Sequence, residues 1–159
     1  MGRELRAVGQ DETVASFEGF VLRHQLGLRR ALVAAVGVEA GLDATSEALA
    51  YGWEHWDRLK DMENPGGYLY RVGRSHARRS GNPLVDLPPV ADPELPWVEP
   101  ALPDALSRLP EMQRSAVLLV HTFGYSLSET AAMLGVAKGT VQTHIERGLA
   151  NLRTAMGVT

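Results

Sequence analysis

The chain has no cysteine among its 159 residues, which excludes disulfides and thiolate metal sites and fits a reducing compartment. Aromatic residues make up only 6%, and sheets draw heavily on aromatic and β-branched side chains, so helices are favoured. Long apolar runs are missing as well. No segment approaches the roughly 20 residues that cross a bilayer, and the opening MGRELRAVGQDETVASFEGF is too polar for a signal peptide. A surplus of positive charge is also lacking: Lys and Arg number 16 against 19 Asp and Glu, for a net charge of −3. Indiscriminate binding to nucleic acid needs a basic excess, although a local basic face would serve a selective binder. These absences lead us to expect a soluble, cytoplasmic protein with no membrane segment.

Apolar residues at 45% and charged residues at 22% are ordinary globular values. A chain of this length can bury roughly two-thirds of its unfolded surface, enough for one domain or two small ones. Seven of the nine prolines fall between Pro83 and Pro103, in NPLVDLPPVADPELPWVEPALP. Proline removes backbone donors and steers its predecessor away from the helical region, so this stretch reads as an extended linker. The expected architecture is all-α: a helical domain over 1–80, a Pro-rich linker over 81–100, and a second helical domain over 101–159.

In the first lobe, Phe17, Phe20, Val21, Leu28, Leu32 and Val36 recur at helical spacing after a candidate cap at Ser16. Asp43 is a candidate cap for a second helix carrying Leu49, Trp53, Trp56 and Leu59. A third is expected to begin at Asn64 or Pro65, with Gly66-Gly67 read as a turn. On that helix Arg71, Arg74 and Arg78 follow the i, i+3, i+7 spacing, with Arg79 beside them, which makes an arginine stripe.

The second lobe opens with a short helix marked by Leu102, Leu106 and Leu109, followed by one for which Pro110 supplies the first position. In GYSLSETAAMLGV, Ser126 and Glu129 form a capping box, and Gly135 is placed to end that helix in a left-handed turn. From Lys138 the apolar residues Val141, Ile145, Leu149 and Leu152 define one buried face of a final helix. A short capped helix, a glycine turn and a second amphipathic helix have the outline of a helix-turn-helix. The second helix of that motif enters the major groove. Its side opposite Val141 and Ile145 presents Lys138, Gly139, Thr140, Gln142, Thr143, Glu146 and Arg147. Gln suits adenine, Lys and Arg suit guanine, a Thr methyl suits thymine, and Glu accepts from cytosine.

The segment LSRLPEMQRSAVLLVHTFGYSLSETAAMLGVAKGTVQTHIERGLANLR resembles region four of the extracytoplasmic-function (ECF) bacterial sigma factors. The match runs through Leu-Pro followed by Gln-Arg, Gly-Tyr-Ser before the capped helix, Gly139-Thr140-Val141 and the closing Leu-Arg. The first lobe resembles region two through Asp43-Ala44, the aromatic-rich helix ending at Trp56, and NPGGYLYRVGRSHARR.

The resemblance implies two partners, core RNA polymerase and promoter DNA, and admits an anti-sigma protein as a third. It implies that the Lys138 to Arg147 face reads an upstream promoter element, and that Arg71, Arg74, Arg78 and Arg79 meet DNA near the melted region two to three helical turns away. Leu49, Tyr51, Trp53 and Trp56 would form the polymerase-binding surface. Three departures stand out. Leu49-Ala50 occupies the place of a polar Gln-Glu pair, Ser80-Gly81-Asn82-Pro83 ends the arginine helix early, and Gln142, His144 and Glu146 replace the usual basic residues. Weaker contacts with polymerase and phosphate are the expectation.

No residue pattern calls for catalysis, a metal or a cofactor. His24, His55, His76, His121 and His144 are scattered, and Asp61 with Glu63 reads as solvated helix-end charge. Two other readings share these features: a sigma-like DNA-binding regulator that does not initiate transcription, and a degenerate sigma acting through protein contacts alone.

Overall fold

The computed structural model describes residues 16–81 and 101–158, and every regular element among them is helical. The first lobe contains α1 (Phe17–Val36), α2 (Val38–Glu54), the single turn α3 (Trp56–Leu59) and α4 (Pro65–Arg79). The second contains α5 (Leu102–Arg108), α6 (Glu111–Val117), a π-type turn over Leu118–Thr122, α7 (Leu127–Leu134) and α8 (Lys138–Ala155). Of the expected linker, residues 82–100 lie outside the described residues.

Several boundaries follow from caps written in the sequence. The Ser16 hydroxyl accepts from the Gly19 N–H at 3.1 Å, and the Asn64 side chain accepts from the Gly67 N–H at 3.1 Å, with Pro65 at the first helical position. Both satisfy donors that the helix itself leaves open. Asp43 is not a cap: α2 already begins at Val38, because Gly37 at φ 95° ends α1 and turns the chain directly into the next helix. The Asp43 carboxylate instead meets His76 Nε2 at 2.8 Å. Gly66 and Gly67 do not form a turn between elements either. They lie in the first turn of α4, where a Cβ on Gly67 would stand 2.5 Å from Asn64 Nδ2 and 3.1 Å from the Ala132 carbonyl. Small size, not turn geometry, is what that position requires. Pro110 stands one residue before α6, within the usual scatter of helix ends.

The main core does not stop at the lobe boundary. Phe20, Leu28, Leu32, Ala44, Ala48, Leu59, Leu69 and Tyr70 of the first lobe form one cluster with Leu119 and Leu134 of the second, flanked by Met112, Phe123 and Met133. A separate cluster under α5 and α8 joins Leu106, Leu109, Val117 and Leu152 to Ala34 of α1. A third, of Ala116, Ala131, Val141 and Ile145, lies within the second lobe. The two lobes therefore bury apolar surface against each other as well as within themselves.

Polar contacts cross the same seam. Arg114, only 3% exposed, donates from Nε to the Ala34 carbonyl at 2.8 Å and from Nη2 to the Ala35 carbonyl, in the last turn of α1. Its Nη1 donates to the Leu109 carbonyl of its own lobe at 2.8 Å. Burial lowers the pKa of this guanidinium, with the charge of Glu111 opposing the shift. Asn64 Nδ2 donates to the Ala132 carbonyl at 2.8 Å, and Arg30 donates to the Tyr125 hydroxyl at 3.0 Å while lying over the Phe123 ring.

Candidate nucleic-acid interface

Three local devices set the angle between α7 and α8. The Ser126 hydroxyl accepts from the Glu129 N–H at 3.0 Å while the Glu129 carboxylate accepts from the Ser126 N–H at 3.1 Å, so the expected capping box is complete. Gly135 ends α7 at φ 68°, ψ 35°, a left-handed conformation that costs glycine little. Thr130, Ala131 and Leu134 of α7, with Val141 and Ile145 of α8, then face inward. Near the middle of α8, Gly148 lets α6 approach: a Cβ there would stand 2.9 Å from Val117 Cγ2.

That packing turns the other side of α8 outward. Lys138, Gly139, Thr140, Gln142, Thr143, Glu146 and Arg147 are all exposed. The Thr143 hydroxyl donates to the Gly139 carbonyl at 3.0 Å, while the side chains of Lys138, Gln142, Glu146 and Arg147 make no hydrogen bond or ion pair with the described residues. Ala137 at the N-cap offers no side-chain acceptor, so the first N–H groups of α8 remain open at the positive end of the helix. Uncommitted donors at a helix N-terminus favour an anion such as phosphate, and Gln142 and Arg147 stand one and two turns further along. His144 is not part of this face. It is half-buried, and its Nδ1 is enclosed with no hydrogen-bond partner.

The α4 arginines are placed differently. Arg71 Nη2 donates to the Gly135 carbonyl at 2.9 Å. Arg74 Nε lies 2.7 Å from Glu111 Oε1 with its side chain 22% exposed, and Arg78 Nη2 is 3.6 Å from the same carboxylate. Arg79 is exposed. The stripe exists as its spacing predicts, but three of its four members reach residues of the second lobe. Tyr70, buried beneath Arg74, has its phenol pushed up to about 12 by that burial. Glu111, Arg114 and Asn64 went unread as contact residues in the sequence.

The four residues expected to meet polymerase divide into separate environments. Trp53, 63% exposed, and Trp56 both pack edge-on against Phe17, at 5.8 and 5.5 Å between ring centres, and together line an open cleft with Glu54, Asp57 and Lys60. Tyr51 belongs to another group: its ring lies against His55, and its hydroxyl accepts from Arg58 and approaches the Tyr68 hydroxyl at 3.4 Å. Leu49 is half-buried against the main core.

Comparison with known proteins places this arrangement. The family model for Sigma-70, region 4 matches residues 100–152, which contain α5 through most of α8. The RNA polymerase sigma-E factor of Streptomyces coelicolor is 34% identical over 153 residues, spanning 88% of this chain and 85% of that protein. The chain belongs to the ECF sigma factors. The ECF sigma factor SigM of Mycobacterium tuberculosis is 45% identical over 91 residues, 56% of this chain but 45% of SigM, so the match spans about half of that relative's length. Two solved structures share the fold. One is RpoE of Bartonella quintana in complex with the anti-sigma factor NepR, with TM-score 0.60 and 21% identity over 89% of this chain and 97% of RpoE. The other is CnrH in complex with the cytosolic domain of CnrY, with TM-score 0.55 and 23% identity over 89% of this chain and 87% of CnrH. Within this sigma factor, region four is thus the lobe that carries the free α8 face.

Proposed function

We propose that this sigma factor binds core RNA polymerase in the cytoplasm and directs it to promoters whose upstream element is read by α8. The observation that carries the reading is the exposed and uncommitted face from Lys138 to Arg147, held on a helix braced by the Ser126 capping box and the Gly135 turn. Gln142 and Arg147 supply base contacts, while Lys138 and the open N–H groups of α8 hold phosphate. With Glu146 on the same face and a net charge of −3, the isolated second lobe binds DNA weakly. Tethering to polymerase raises its effective concentration enough for reading. The aromatic cleft of Phe17, Trp53 and Trp56 is the polymerase-facing surface of the first lobe, and an anti-sigma protein is its natural competitor.

The test is protection of promoter DNA by the polymerase-bound chain. Gln142→Ala should relax sequence preference at one position by about 1–3 kcal/mol, and Lys138→Ala should weaken all sequences alike. Protection that is identical in the wild type and in a variant carrying Gln142→Ala and Arg147→Ala would remove α8 as the reader and favour a sigma that acts through protein contacts alone.

A further inference from the structure

We propose that the aromatic cleft beside the junction of α2 and α3 is a cation site, and that it takes a small quaternary ammonium compound free in solution. Three rings form it, and each is followed in sequence by an acid: Phe17-Glu18, Trp53-Glu54 and Trp56-Asp57. Folding brings all three pairs to one open cleft of about 420 Å³. Trp53 and Trp56 each stand at 61° to Phe17, with ring centres 5.8 and 5.5 Å away, so two steep walls flank the Phe17 ring. Behind them Phe20, itself buried, stacks on Phe17 at 6.2 Å and meets Trp56 at 5.1 Å. That backing fixes the walls before any ligand arrives, which lowers the cost of binding. The outer wall is open, since Trp53 is 63% exposed, and a tryptophan is on average a well-buried residue.

The charge of the rim selects the sign of the ligand. Three acids, Glu18, Glu54 and Asp57, against the one Lys60 leave the lining two charges negative, and a cleft of one sign concentrates ions of the other. Glu18 and Glu54 make no ion pair with the described residues. Lys60 Nζ stands 3.6 Å from the Asp57 carboxylate, but both partners are exposed, so the pair contributes little and yields readily to a ligand. Shape and hydration decide which cation enters. A primary ammonium is compact and strongly hydrated, so it loses more water than an open cleft returns. A guanidinium is planar and stacks on one ring, which leaves the wall at 61° unused. A trimethylammonium head is round and turns methyl groups to several ring faces at once, whose negative potential attracts it.

The site needs no polymerase in order to fill. The same rings were assigned above to polymerase, so an occupied cleft and bound polymerase exclude each other, a consequence that rests on the sigma-factor reading. Choline chloride is the probe. Its control is the neutral carbon isostere, in which a tert-butyl group replaces the trimethylammonium head. A nuclear magnetic resonance titration of the full chain at fixed ionic strength follows the indole N–H signals of Trp53 and Trp56. Both should shift with choline, and the neutral isostere should bind at least about tenfold more weakly. Trp53→Leu, at an exposed position, should weaken choline by about tenfold, and Glu54→Gln by about threefold. Lys60→Met removes a like charge and releases Asp57, so it should tighten choline by about threefold, a gain that damage to the fold cannot mimic.

Equal binding of choline and its neutral isostere would overturn the site, as would choline binding that leaves both indole signals in place, or no binding at all. Tighter binding of N-acetylarginine amide than of choline would overturn it in favour of a guanidinium. Co-elution with core polymerase is scored separately in the presence of choline. Choline that shifts both indoles but leaves co-elution unchanged takes polymerase off the cleft, whereas choline that fails to bind removes the site itself, so the two failures have different signatures.

Discussion

Arg114 offers the sharpest test of what holds the two lobes together. Arg114→Met keeps most of the aliphatic stem in its buried slot but removes the donor from three carbonyls, those of Ala34, Ala35 and Leu109. A buried polar group stripped of its partner costs about 1–3 kcal/mol, and relief of a buried, desolvated charge offsets part of the total. The net loss expected is about 3–4 kcal/mol. At this chain length that lowers the melting temperature by about 10 °C, read by circular dichroism at 222 nm. Arg114→Lys should fall between, since an ammonium on a flexible stem cannot reproduce the planar fork that meets carbonyls in two lobes. A loss below about 1 kcal/mol for Arg114→Met would refute the reasoning, because it would mean that water or the relaxed backbone serves those carbonyls equally well.

Other outcomes follow from single features. Ser126→Ala removes one half of the capping box and should cost about 1 kcal/mol in urea unfolding, with no change in the m-value. Gly41→Ala places a Cβ 2.6 Å from the Val33 Cα, a backbone atom that cannot step aside, so a loss of about 3 kcal/mol or more in the same assay is expected, whereas Gly139→Ala enters open space and should be neutral or stabilising by up to about 1 kcal/mol. The Tyr70 phenol, raised by burial to about 12, keeps its proton in the folded state longer than the ordinary value of 10 allows in the unfolded one. Its contribution is whole below pH 10 and is lost as pH rises towards 12, so the urea midpoint should fall across that window and fall less steeply in Tyr70→Phe.

The helix boundaries were largely legible because caps are local: Ser16, Asn64, Ser126 and Gly135 each act on N–H or carbonyl groups within a few residues. Asp43 misled for the same reason, since a good capping side chain was present but Gly37 had already set the helix start five residues earlier. The exposed face of α8 was legible through the period of Val141, Ile145 and Leu152, whose burial fixes what points outward. The seam was not. Arg114, Arg71 and Asn64 donate to backbone carbonyls, and because every residue carries one, no side-chain pattern marks the acceptor. Glu111 does carry a recognisable charge, but its partner Arg74 lies 37 positions away, beyond the reach of helical periodicity.

The central claim is that this chain confers promoter choice on polymerase, and transcription from a library of promoter fragments by bacterial core RNA polymerase tests it most directly. Adding the chain should yield defined start sites sharing an upstream element, and a variant carrying Gln142→Ala and Arg147→Ala should alter or abolish that shared element. Transcripts indistinguishable from those of core polymerase alone, from a chain that is folded and co-elutes with the enzyme, would contradict it.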